Sequence, residues 1–144
     1  MSDEKKLTGG CLCAAVRYQV EGEPLDVYCC HCSMCQKYSG APISVVATFP
    51  VESYALIQGD LKTYQSSSTY VRLSCSKCGS ILGGRQAGNN PRLVAIRLGS
   101  LDNPNSLKPT THRYTSTRVE WCQFEDGLPS YEEGSPQSRE LWSR

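Results

Sequence analysis

Apolar and polar side chains alternate most plainly in Val16-Arg17-Tyr18-Gln19-Val20, which puts Val16, Tyr18 and Val20 on one face of a strand over residues 14–20. Residues 7–13 read as an entry loop before it. Residues 25–30 and 43–49 are short β-prone runs, the second bounded by Pro42 and Pro50. Residues 54–58 and 61–64 flank Gly59-Asp60 and predict two strands around a turn. Residues 70–73 and 93–98 predict two further strands, with Ile81-Leu82-Gly83-Gly84 leading out of a cysteine turn between them. One short helical turn is predicted over residues 33–38. Past Asp102 the pattern breaks up under Pro104, Pro109, Pro129 and Pro136, leaving only residues 112–114 and 119–121 extended. Residues from about 132 to 144 read as a loosely held tail. Many short strands without a long amphipathic helix or repeat define an all-β chain.

The 144 residues fit one domain, expected over residues 7–133 between tails at 1–6 and 134–144. Fifteen basic and fourteen acidic residues leave a net charge of +1. The sequence pI of about 7.5 and the lack of any basic tract argue against nucleic-acid binding. No stretch is apolar enough to span a membrane, and the charged Met1-Ser2-Asp3-Glu4-Lys5-Lys6 has no apolar segment behind it. A cytoplasmic location is expected. In that reducing setting nine cysteines mean metal rather than disulfides.

Seven of the nine fall into three clusters: Cys11-Leu12-Cys13, Cys30-His31-Cys32-Ser33-Met34-Cys35, and Cys75-Ser76-Lys77-Cys78-Gly79. Thiolates on tight turns, or one helical turn apart, can converge on a soft cation such as Zn²⁺. Seven divides into four and three. Four ligands close a structural site, whereas three leave a position open for chemistry.

These clusters, with Gly9-Gly10 and Ala14-Ala15-Val16-Arg17-Tyr18 around the first, resemble the centromere protein V / glutathione-dependent formaldehyde-activating enzyme family. Gln36-Lys37, Gly40-Ala41-Pro42, Gly99-Ser100-Leu101-Asp102, Pro109-Thr110-Thr111-His112, Trp121 and Asp126-Gly127-Leu128-Pro129 extend the resemblance over residues 7–133. It implies a β-tent, short sheets leaning together over zinc. It further implies a structural zinc on Cys11, Cys13, Cys75 and Cys78, and a second, open zinc on Cys30, Cys32 and Cys35. The implied activity is that of a carbon–sulfur lyase, joining glutathione to formaldehyde as S-hydroxymethylglutathione or parting the two. Its partners would be a small thiol and an aldehyde.

Glutathione carries two carboxylates, so a cationic cleft is expected, with Lys37 the nearest candidate and Arg113 a further one. His31 is expected to face outward or to support the ligands from behind, and His112 to be structural or pocket-lining. Cys29 is expected to point away from the metal, while Cys122, Tyr18, Tyr28, Tyr54 and Trp121 are assigned to the core. Two other functional classes fit the cysteines: a non-catalytic zinc-stabilised binding module, and a thiol redox sensor.

Overall fold

The structure is a computed structural model that describes residues 5–143. Strands β1 (Lys6–Gly10), β2 (Arg17–Glu21) and β3 (Asp26–Cys30) lead into the helix α1 (Ser33–Ser39). Then come β4 (Ser44–Pro50), β5 (Tyr54–Gln58), β6 (Leu61–Gln65), β7 (Tyr70–Cys75), β8 (Ile81–Gln86) and β9 (Leu93–Arg97). β10 (Thr111–Arg113), β11 (Ser130–Tyr131) and α2 (Pro136–Trp142) complete the chain. The all-β expectation holds. A three-stranded sheet has the order β1-β2-β5, and an eight-stranded sheet the order β11-β10-β3-β4-β9-β8-β7-β6. Among the described residues only the β3–β10 and β10–β11 pairs are parallel. No described helix is long and apolar enough to cross a membrane.

Period-two alternation gives the large sheet two different faces. In register across β3, β4 and β9, Val27, Ala47 and Ile96 form one row, while Tyr28, Val46 and Arg97 form the next. The first row faces the core. Tyr18 and Val20 of β2 pack there with Val27, Ala47, Phe49, Val94, Ile96, Leu98 and Leu101. A ring stack of Tyr18 on Tyr54, with centroids 5.5 Å apart, extends this contact. Burying such side chains contributes about 1.5–3 kcal/mol apiece and holds the small sheet against the large one. The second row looks the other way, into the cavity described below.

Four features differ from the sequence reading. Residues 6–10 are a strand paired with β2, not an entry loop, and residues 1–4 of the expected tail lie outside the described residues. β5 and β6 do not pair with each other: β5 joins β2 and β6 joins β7. Gly59 makes that passage possible, with φ of +94° and a backbone that would place a Cβ 2.3 Å from the Ala15 carbonyl oxygen. Residues 119–121 form no strand, and Trp121 is 77% exposed, so it is not a core residue; Cys122 is only half-buried. Finally, the C-terminal stretch holds β11 and α2. Ser135, 3% exposed, caps α2 by accepting from the Ser138 N–H, and the Gln137 amide donates to the Leu25 carbonyl.

Candidate metal centres and the cavity over the second

The turn between β1 and β2 presents Cys11 and Cys13, and the turn between β7 and β8 presents Cys75 and Cys78. Their four sulfurs lie within 4.8 Å of one another. The Cys11–Cys13 and Cys13–Cys75 sulfurs are 3.6 and 3.9 Å apart. A tetrahedron of thiolates about 2.3 Å from a zinc ion has edges of about 3.8 Å, so this donor set fits. Backbone N–H groups also converge on the sulfurs, from Val16 to Cys11 at 3.2 Å and from Lys77 and Cys78 to Cys75 at 3.3 and 3.4 Å. The Ser80 hydroxyl and N–H lower the Cys78 thiol to about 5, favouring the thiolate that a metal requires. Because one turn belongs to each sheet, a cation held here fastens the sheets together.

The second group forms where β3 runs into α1. Cys30 ends the strand, Cys32 caps the helix, and Cys35 follows one turn later, with all three sulfurs within 4.8 Å. The Cys32 sulfur accepts the Cys35 N–H at 3.3 Å, so one side chain both starts the helix and joins the donor set. Cys30 and Cys32, then the Arg72 guanidinium 3.6 Å away, stabilise Cys35 as a thiolate well below the ordinary thiol range. Hydrogen bonding with Cys32 and then Cys35 pushes Cys30 far the other way.

Above these sulfurs opens a cavity of about 510 Å³. Tyr28, Val46 and Arg97 come from the sheet, Tyr70 and Arg72 from β7, and Ser138, Arg139 and Trp142 from α2. Trp142 meets Tyr70 edge-on, with ring centroids 5.7 Å apart. Burial raises Tyr70 to about 12, which keeps it a neutral phenol.

The other expected residues divide between agreement and difference. Lys37 is exposed on α1 and does not line the cavity. Arg113 does line it but is 1% exposed and already committed, with paired hydrogen bonds to Asp26 and its guanidinium 4.3 Å from the Tyr28 ring centre. Cys29 is buried outside both sulfur groups, and Tyr28 lines the cavity instead of the core. His31 is 2% exposed, so it does not face outward. Its Nε2 lies 2.9 Å from His112 Nδ1, and His112 Nε2 lies 2.8 Å from Asp126. Burial, then His112, lowers the His31 pKa. His112 therefore stands behind the cysteine turn, away from the cavity. Sequence reasoning missed Arg72, Arg97 and Arg139. A signal existed for the first two, since each is a cation inside an otherwise apolar β-run.

A closed group of four thiols and an open group of three, set in leaning sheets, define an all-β protein with two candidate metal centres. Residues 6–117 match the family described as glutathione-dependent formaldehyde-activating enzyme, and the chain belongs to that family. A "putative glutathione-dependent formaldehyde-activating enzyme" of Aspergillus flavus is 33% identical over 85 residues, which cover 56% of this chain and 44% of that protein. The match thus spans less than half the length of that curated relative. A crystal structure of a Rhodobacter sphaeroides protein shares the fold with a TM-score of 0.53 and 21% identity, covering 86% of this chain and 98% of that one.

Proposed function

We propose that the chain is a zinc-dependent carbon–sulfur lyase-type enzyme that makes or breaks a thiol–aldehyde adduct such as S-hydroxymethylglutathione. The observation that carries this reading is the three-sulfur group at the floor of a cavity, with a guanidinium against one sulfur. Cys30, Cys32 and Cys35 would hold the second zinc; Cys11, Cys13, Cys75 and Cys78 would hold a structural one. Bound by these three thiolates, zinc would supply a means of keeping a substrate thiol deprotonated near neutral pH.

The chain's own residues then do three things. Arg72 offsets the negative charge that gathers on the sulfurs, which otherwise discourages a further thiolate from approaching. Val46, Met34 and Trp142 give the walls apolar surface. The cavity holds thiol and aldehyde together, trading a bimolecular encounter for a positioned one. In the forward direction the sulfur adds to the carbonyl carbon to form the carbon–sulfur bond, the π pair of the carbonyl moves to its oxygen, and that oxygen takes up the proton the thiol released. In reverse the same bond breaks and the proton returns to sulfur. No oxidant or reductant enters.

The test is zinc content per chain for wild type and Cys32→Ser, alongside exchange between glutathione and formaldehyde followed by NMR. Two zincs falling to about one, with loss of accelerated exchange, is the expected result. Zinc content unmoved by Cys32→Ser, or exchange no faster than without protein, refutes the proposal.

A further inference from the structure

The charge around the cavity does not balance. Among the described residues four arginines line it (Arg72, Arg97, Arg113 and Arg139), and no aspartate or glutamate does. Arg113 is matched by Asp26. Among the described residues no carboxylate comes within salt-bridge reach of the other three. Arg72 is 4% exposed and is held by Cys35, by the Ser66 hydroxyl and between the Tyr38 and Tyr70 rings. Arg97 is 8% exposed; its Nη1 donates to the Ser44 hydroxyl at 2.7 Å, and its buried Nε has no partner at all. Buried charges and buried N–H groups without partners are costly, and native structures rarely retain them without a counterpart. Zinc with three thiolates carries a single negative charge, enough to offset Arg72 alone. A cationic surplus remains at Arg97 and at Arg139 on α2.

We propose that this cavity selects its ligand through a carboxylate docked on Arg97 and Arg139, with α2 as the element that sets the selectivity. Guanidinium is the cation suited to a carboxylate, because its planar fork donates two parallel hydrogen bonds. α2 lies beyond the family-matched residues 6–117, so Arg139 is no part of that match. Trp142 on the same helix lines the cavity beside Arg139, which puts a fluorophore in the binding site. The inference builds on the reading of this cavity as the thiol–aldehyde site, and names what that site recognises away from the sulfur.

The zinc-loaded protein carrying Trp121→Phe, so that Trp142 is the reporting indole, is titrated with 3-mercaptopropionate, its neutral amide 3-mercaptopropionamide, and succinate, which has no thiol. The carboxylate thiol is expected to bind at least tenfold more tightly than the amide, the scale of one charge-assisted hydrogen bond. Arg97→Gln and Arg139→Gln should each erase that preference while zinc content and amide binding stay as they were. Arg139 is exposed, so its variant remains decisive if Arg97→Gln fails to fold. Equal binding of acid and amide, or a preference that survives in Arg139→Gln, overturns the proposal. Succinate separates the two readings: binding that needs both arginines, in a protein that speeds no thiol–aldehyde exchange, upholds the carboxylate site and removes the lyase.

Discussion

Asp26→Asn removes the charge that Arg113 depends on while preserving shape. Both side chains are almost fully buried, at 6% and 1% exposure, and they are joined by two hydrogen bonds, one of them 2.7 Å. Removing one partner of such a pair strands a charge in low dielectric and costs about 3–5 kcal/mol. The substitution keeps one acceptor, and the Tyr28 ring still faces the guanidinium, so the lower end applies. Unfolding entropy of roughly 2.1 cal/mol/K per residue over 144 residues gives about 0.3 kcal/mol/K, hence about 3 °C per kcal/mol. A fall in Tm of about 10 °C follows, read by circular dichroism at fixed saturating zinc. The cavity should loosen as well, because Arg113 pairs with Cys30 in the β3–β10 ladder and its carbonyl accepts the His31 N–H at 2.9 Å. The double variant Asp26→Leu/Arg113→Met, which removes both charges, should recover much of the loss. A fall below about 3 °C for Asp26→Asn would falsify the claim that Asp26 is the counter-charge a buried Arg113 requires.

Two further outcomes are expected. Arg72→Gln takes away a cation that favours the Cys35 thiolate, so protons compete better with metal. The second zinc should leave at higher pH than in wild type, by up to about one unit, while Arg72→Lys restores most of the shift and the four-cysteine group is unaffected. A chromophoric chelator followed down a pH series measures this, and identical release curves for wild type and Arg72→Gln sink the idea. Gly83→Ala would set a Cβ 1.9 Å from the Ala95 carbonyl oxygen on the neighbouring strand, so β8 and β9 must part. A stability loss of at least about 1–3 kcal/mol is expected by urea unfolding; an unchanged midpoint would mean the strands do not pack this closely.

Much of the site was legible because metal ligation works at short range. Two sulfurs on one turn must be two or three residues apart, and the C-x-C and C-x-x-C spacings record that directly. Strands were legible where one face is buried, as in Val16, Tyr18 and Val20. Sheet membership was not. Gly59-Asp60 carries the local chemistry of a hairpin turn, and nothing nearby in sequence announces that Gln58 will instead donate to the Ala14 and Ala15 carbonyls across the fold. The arginine cluster was hidden for the same reason. Arg72, Arg97 and Arg139 come from β7, β9 and α2, and only register and packing bring them to one cavity. His112 was expected to be structural or pocket-lining; its pairing with His31 depends on β10 entering the sheet parallel to β3, a choice no local pattern specifies.

The two-faced sheet explains how one small domain supports both a core and a thiol-lined cavity. Moving one residue along β3, β4 and β9 exchanges Val27, Ala47 and Ile96 for Tyr28, Val46 and Arg97, turning a dry contact into the cavity wall. A face bearing buried guanidinium and thiol groups cannot be covered by another apolar layer without stranding them, so it is covered by a short helix instead. The four-cysteine group meets the opposite need. It lies between a turn of each sheet, with Cys13 and Cys78 exposed, and a metal held there would add a fastening to the apolar contact between them. The two groups thus share a chemistry but not a task. A metal lost from the first would act through folding and reach every property of the molecule, whereas one lost from the second would act at the cavity and leave the sheets joined.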